Sequence, residues 1–506
     1  MAFEPNFEKI TASYRKNLGN TQSQIECKLP INDDVAKVVC ASAKAYVTTA
    51  DLMGKEVQYS GFVSFAVLYQ TKENEISALD YTAEFKDSYA TGDAEMTPAV
   101  SVGVVDVNTQ VVNGEIRVVA IVESVIDGIF SESQNALTGV NGDNVFAKNE
   151  TIDYSTFVAT VQNKFEESLD VEIKDGVSKI LTVCPSTYID EITINDRFLT
   201  LKGGVFVDVC YVTDDNILRT TQCKFDFEQE IAQDEINSTS FVQSNMQVAY
   251  NDIKITTSID TDSAIVNVNL PILFTGYVFN NNSTEIVGDL FSTTHFINMA
   301  VNSTPSMQNF EAVVFDDKVN GSVTIQDTAP FIDEMLGVCC SNVALANATV
   351  QDGTFSVEGV AHTTALYLNK ELGGVYSVEV EMPFSISSQV DLNDNVVPLV
   401  QISMTDVSAR ARRGKEIEVN ANLNVFANFY DTDKDAIITA VTEEDEVPEE
   451  ECALSIYLAK DGDTIWEIAK ELKVSPEMLV EQNPGLTEPI TAGQRIAIYR
   501  QKQVEY

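Results

Sequence analysis

The sequence predicts a mostly β protein: three tandem β-sandwich-like domains followed by a small α+β module of β-α-α-β order. Three observations carry this. A thirteen-residue pattern of period-2 hydrophobicity occurs three times, an acidic run at 442–451 follows the third copy, and the segment after that run changes to helical spacing between two short strands.

The first copy places Val57, Tyr59, Gly61, Val63, Phe65, Val67 and Tyr69 on one parity. The second places Leu199, Leu201, Gly203, Val205, Val207, Val209 and Tyr211, and the third Phe355, Val357, Gly359, Ala361, Thr363, Ala365 and Tyr367. One face of a strand is therefore expected to be buried in each copy. The mid-strand glycine signals a bulge or a close backbone approach. Upstream, Cys40, Cys184 and Cys339 precede the aligned tyrosines by 29, 27 and 28 residues.

Downstream of each copy comes a hairpin. Val107 to Val111 leads into Asn113-Gly114 and Ile116 to Ala120; Ile253 to Ile259 leads into a turn at Asp260 to Asp262 and Ala264 to Leu270. The third hairpin runs from Val407 to Ala411, through Arg413-Gly414, to Ile417 and beyond. Asn-Gly between alternating apolar residues suits a turn with positive φ at both central positions. Asp106, Asp252 and Asp406 precede the hairpins and are read as turn residues at the start of a strand. The expected domains are 1–135, 136–290 and 291–441. An acidic flexible linker is expected at 442–453, because seven of the ten residues at 442–451 are acidic and repel one another.

The chain has 506 residues, 32 Lys and Arg, and 77 Asp and Glu, a net charge of −45. Such a surface disfavours nucleic acid and acidic lipid headgroups as partners and favours a protein with basic patches or a neutral glycan. No basic segment followed by an apolar core opens the sequence, and no eighteen-residue apolar run occurs in it, so a cytosolic protein without membrane insertion is expected. The eight cysteines lie mostly in apolar runs and read as buried thiols rather than disulfides. No enzyme is expected. His295 and His362 are the only histidines, neither has a cysteine partner at a recurring spacing, and no phosphate-binding loop or nucleophile elbow occurs. Hence no catalytic residue, cofactor or metal site is expected.

In the last module, Leu454, Ile456 and Leu458 alternate as a strand, and Asp461-Gly462-Asp463 makes a turn whose last residues are expected to cap a helix. Ile465, Ile468, Ala469 and Leu472 keep helical spacing, Ser475 caps a second helix with Pro476 at its first position, and Asn483-Pro484-Gly485 ends it. Gly493 to Ile498 supplies the closing strand. Tyr457, the run Gly462 to Trp466, Ile468-Ala469, Val474, Leu479, Asn483-Pro484, Ile490, Gly493-Gln494 and Ile496 resemble the LysM family at its characteristic places. The resemblance implies a LysM domain at 454–499 with a shallow groove for N-acetylglucosamine-containing glycan. Its candidate lining is Gly462, Asp463, Thr464 and Ile465 on one side and Asn483, Pro484, Gly485 and Leu486 on the other. Gly462, Asn483 and Pro484 equally suit turn and capping roles that any such fold needs. Trp466, the sole tryptophan, is a candidate protein-binding anchor, with Ile465 and Leu454 as apolar neighbours.

Repeated β modules, an acidic run and a C-terminal LysM domain together resemble the spore-envelope assembly proteins of endospore formers. The β modules are similar to the SPOCS (spore coat assembly) domain, and the three copies are closer to the clostridial SipL type than to the SpoVID type of bacilli. The resemblance implies a scaffold in the mother-cell cytoplasm, at the surface of the developing spore. That scaffold would recruit a spore coat morphogenetic protein, a SpoIVA-like ATPase, through its LysM domain. The alternative is a peptidoglycan-binding surface or cell-wall protein.

Overall fold

The computed structural model describes residues 3–30, 35–112, 115–260, 262–448 and 454–499. The first repeat comprises β1 (Glu4–Pro30), β2 (Val35–Met53), β3 (Glu56–Thr71), β4 (Ile76–Ala90), β5 (Thr97–Val112) and β6 (Glu115–Asn141). Two antiparallel three-stranded sheets result, ordered β1-β6-β5 and β2-β3-β4. Alternation explains the core: Val57, Val63 and Phe65 of β3 pack in one cluster with Ile116, Val118 and Val122 of β6.

The second repeat uses β7 (Val145–Ile173), β8 (Val177–Asn195), β9 (Phe198–Thr213), β10 (Leu218–Ala232), β11 (Ser240–Val248), β12 (Lys254–Ile259) and β13 (Ala264–Ser292). The third uses β14 (His295–Thr324), β15 (Glu334–Gln351), β16 (Thr354–Asn369), β17 (Gly374–Gln389), β18 (Val397–Arg412) and β19 (Glu416–Glu446). Both repeat the pairing of the first, except that its fifth strand is split into β11 and β12 in the second.

The repeated glycine has a spatial cause. At Gly61, Gly203 and Gly359 a Cβ would stand 2.0, 2.2 and 2.3 Å from the carbonyl oxygens of Tyr46, Tyr188 and Ala344 on the neighbouring strand. The neighbouring strand bulges at each place, the register slipping after Val47, Ile189 and Leu345, the partners of the three glycines. From the other side Phe85, Phe227 and Phe384 lie directly across from the glycines and cover them.

The three repeats close into a ring. The second strand of each repeat is hydrogen-bonded to the fifth strand of another: Val47 N donates to Gln247 Oε1 at 3.2 Å and Ser403 Oγ to Thr187 O at 2.6 Å. Asn342 Nδ2 donates to Val104 O at 3.1 Å, which joins the third repeat back to the first. The first and last strands of each repeat extend beyond the sandwich as ribbons, and the ribbons bundle on the same axis. Equivalent side chains meet there, Ala136 with Ile286 and Ile437, and Ile129 with Phe279 and Tyr430.

Several expectations shift. Residues 135 and 290 fall inside β6 and β13, and the turns between repeats lie at 142–144 and 293–294. The strand ends reach further because their apolar residues serve the shared bundle rather than one sandwich. Residues 442–446 are strand rather than linker: Thr442 and Glu443 pair with Asn298 and Ile297, and Glu443 lies 3.2 Å from His295 Nδ1. Ladder hydrogen bonds outweigh the repulsion of the acidic run at that end. Residues 449–453, with Cys452, lie outside the described residues, as do Asn113 and Gly114. Arg413 (φ 51°) and Gly414 (φ 70°) form the expected turn. Asp106 and Asp406 stand at bulges within β5 and β18, not at strand starts, and Asp252 sits in the short 3-10 turn between β11 and β12.

Candidate functional site

The C-terminal module consists of β20 (Leu454–Leu458), α1 (Ile465–Leu472), α2 (Pro476–Gln482) and β21 (Arg495–Tyr499), with β20 and β21 antiparallel. Thr464 starts α1 with a capping box, accepting from Glu467 N while Glu467 reaches back to Thr464 N. Ser475 caps α2 by accepting from Met478 N, with Pro476 in the first turn. Ile468, Ala469, Val474, Leu479, Ile490, Ile496 and Ile498 form the core.

Two loops meet at the module's edge. Asp463 Oδ2 accepts from Lys460 N at 2.8 Å and from the Tyr457 hydroxyl at 3.0 Å, and Gly462 completes that turn with φ 87°. Partial burial and hydrogen bonds to Asp463 and Glu471 push the Tyr457 hydroxyl up to about 12. Asn483 Nδ2 donates to Leu479 O and Ala497 O, and its Oδ1 accepts from Ala497 N, so this one amide ties α2 to β21. Ile465 N donates to Glu488 Oε1 at 2.7 Å and draws the loop after α2 against the start of α1. Gly462, Pro484 and Gly485 are exposed there, and Asp463, Thr464, Ile465 and Asn483 are half-buried. Leu486 is 5% exposed and packs in the module's core.

Trp466 faces the repeats. Its Nε1 donates to Asp289 Oδ2 at 2.8 Å, and its ring meets Phe291 edge-on at 5.1 Å. Lys470 Nζ pairs with the other oxygen of Asp289 at 2.6 Å. Lys473 lies over Phe291 and Phe296, and burial, then the Lys470 charge, pulls its ammonium below the ordinary range. The ribbon end of β13 therefore holds the module through α1. Leu454 is not among the groups that hold Trp466 there, Asp289 and Phe291. It stands with Ile456 and Leu458 on the outer face of β20, 51%, 60% and 59% exposed, near Tyr499 of β21 at 55%. The apolar parity of this strand thus faces outward.

Sequence reasoning missed Asp289, Phe291 and Lys470, which no local pattern singles out. It missed Ile456, Leu458 and Tyr499 as a surface because alternation does not say which parity is buried. Among the described residues, no helix is long and apolar enough to cross a membrane.

Comparison with known families finds the SPOCS domain of SipL at residues 34–112 and the LysM domain at residues 457–498. The first match spans β2 to β5 of the first repeat. No curated protein and no solved structure matches the chain. Both domains are of binding and scaffold type, and LysM is a glycan-binding module. The chain thus joins a SPOCS domain to a C-terminal LysM domain, the combination of the SipL/SpoVID-type spore-envelope assembly proteins.

Proposed function

We propose that the protein is a non-enzymatic scaffold of spore coat and envelope assembly that recruits a coat-basement protein, a SpoIVA-like ATPase, through its LysM domain. It would act in the mother-cell cytoplasm at the surface of the developing spore. The observation that carries this reading is the outward apolar face of β20, Leu454, Ile456 and Leu458 beside Tyr499, on a module whose opposite side is anchored to the repeats. Large apolar and aromatic side chains gathered on one exposed face suit a protein partner. Leu454 is available as the module stands and Ile465 is half-buried, whereas a partner that uses Trp466 must first displace Asp289 and Phe291. The chain's charge of −45 favours a partner with basic patches.

The test is capture of the SpoIVA-like ATPase by the full chain, by Leu454→Asp, by Trp466→Ala and by a chain ending at residue 453. Leu454→Asp and the shortened chain are expected to lose capture. Undiminished capture by the shortened chain overturns the reading. A second reading, an N-acetylglucosamine-containing glycan as ligand, rests on the exposed Gly462, Pro484 and Gly485 of the two adjoining loops. Saturable binding of chitin oligomers that Leu454→Asp leaves intact would favour it.

A further inference from the structure

Five of the eight cysteines come from strands that face one another across the ring: Cys40 of the first repeat, Cys184 and Cys210 of the second, and Cys339 and Cys340 of the third. Three of them converge. The Sγ atoms of Cys40, Cys339 and Cys340 all lie within 4.8 Å of one another, with Cys40 and Cys339 at 2.9 Å. Successive residues of a strand point to opposite faces, so adjacent cysteines do not ordinarily share a target. Here Cys340 takes a left-handed conformation, φ 56°, inside a bulge where the register of β15 slips between Cys339 and Asn342. The bulge is pinned on both sides. Thr363 Oγ1 donates to Cys339 O at 3.2 Å and lies 2.9 Å from Ser341 Oγ, while Lys44 Nζ of the first repeat donates to Ser341 O at 3.0 Å.

We propose that Cys40, Cys339 and Cys340 form a three-thiolate site for a soft cation of the Zn(II)/Cu(I) class, which fastens the first repeat to the third. A single staple between repeats needs two sulfurs. The third is delivered by a backbone conformation that a non-glycine residue adopts at a cost, and a strained residue of that kind is expected where it serves a site. An ion about 2.3 Å from each sulfur spaces the sulfurs roughly 3.8–4.0 Å apart, which small side-chain rotations supply here. Thiolates select this class of metal over hard cations. A depression of about 440 Å³, lined in part by Val39, Cys40, Thr364 and Glu379, opens beside the cluster and gives an ion a path in. The location has a mechanical logic. The first repeat passes directly into the second and the second into the third by short turns, but the third and first are not joined in sequence, so the ion would close the one seam of the ring that the chain leaves open.

The experiment uses the reduced, metal-free full chain, titrated separately with Zn(II), Cu(I) and, as an optical reporter, Cd(II). The expected result is one ion per chain with a sulfur-to-metal charge-transfer band for Cd(II), a raised melting temperature with the physiological ion, and loss of both in Cys40→Ser and Cys340→Ser. Cys223→Ser, which removes a thiol outside the cluster, should bind normally, and circular dichroism should show all variants folded. Which of Zn(II) and Cu(I) gives the tighter complex separates the two ions. Absence of binding to the wild type, equal binding by Cys40→Ser, or a Cys40–Cys339 disulfide in protein alkylated at the moment of cell lysis each overturns the proposal.

Discussion

Replacing Gly61 by alanine tests the account of the repeat most directly. The new Cβ would lie 2.0 Å from Tyr46 O and 2.9 Å from the Phe85 ring, whereas ordinary contact begins at 3.4 Å. The carbonyl belongs to the backbone of β2, where Tyr46 is 1% exposed, so it cannot swing into solvent. Either β2 moves away by about 1.4 Å, breaking its ladder with β3 around the bulge, or Phe85 leaves its place over the glycine. Overpacking a core costs typically about 1–3 kcal/mol where side chains can yield. A backbone obstacle places this substitution at or above the top of that range, at least about 3 kcal/mol, or a melting temperature roughly 6–12 °C lower. Gly103→Ala is the matched control: it lies mid-strand in β5, and a Cβ added there would meet nothing within 4 Å. That change should be neutral or stabilise by about 0.5–1 kcal/mol. Thermal unfolding would give the two values, with hydrogen exchange to show that the Gly61 effect is seated in β2 to β4. A loss below about 1 kcal/mol for Gly61→Ala would refute the reasoning, because the bulge would then have another cause.

Asp289→Ala should release the LysM domain from the ribbon, since it removes the acceptor of both Trp466 and Lys470. Trp466 is the sole tryptophan, so a red shift of its fluorescence reports the release without interference, and an unshifted spectrum contradicts the docking. Asn483→Ala deletes two hydrogen bonds to Ala497 of β21 and one to Leu479 of α2 and should cost the module about 2–3 kcal/mol, measurable by local hydrogen exchange. Burial raises the Asp208 carboxyl to about 6, with Gln222 and Lys44 acting against it. The folded state then holds its proton more tightly than the unfolded chain. Stability from this group is complete below pH about 4 and is lost as the pH rises to about 6, by up to about 3 kcal/mol. Asp208→Asn should flatten that slope in a pH series of unfolding midpoints.

The strand period, the repeated glycine and the Ser475 cap of the second LysM helix were legible in sequence, because each is set by residues close together in the chain; the first helix is capped by Thr464, one residue past the Asp461–Asp463 turn that was expected to cap it. Gly61, Gly203 and Gly359 announced a close backbone approach, and only the identity of the approaching atom needed coordinates. The ring was not legible, since Val47 meets Gln247 and Asn342 meets Val104 across more than a repeat of chain. The cysteine cluster was hidden for the same reason. Cys339 and Cys340 read as ordinary apolar neighbours until the bulge turned both toward Cys40. For β20 the alternation was plain but its sense was not, and Leu454 proved to lie on the exposed face of the strand. The acidic run misled at its start, where composition argued for solvent and the ladder to β14 prevailed.

The three ribbon ends share one geometry, including a bulge at Thr138, Gly288 and Thr439, so the residues one step beyond are counterparts: Gly139, Asp289 and Ala440. Of these, the middle one alone carries a carboxylate. A body with near-threefold symmetry would offer three equal berths to its own C-terminal module; this one offers a single berth, marked by Asp289 and, two residues on, by Phe291, whose counterparts are Asn141 and Thr442. The molecule therefore has a fixed polarity around its axis, and anything bound to the LysM face is held at one defined azimuth. Turning that azimuth by a third of a revolution would take both marks, Asp289→Gly and Phe291→Thr together with Ala440→Asp and Thr442→Phe.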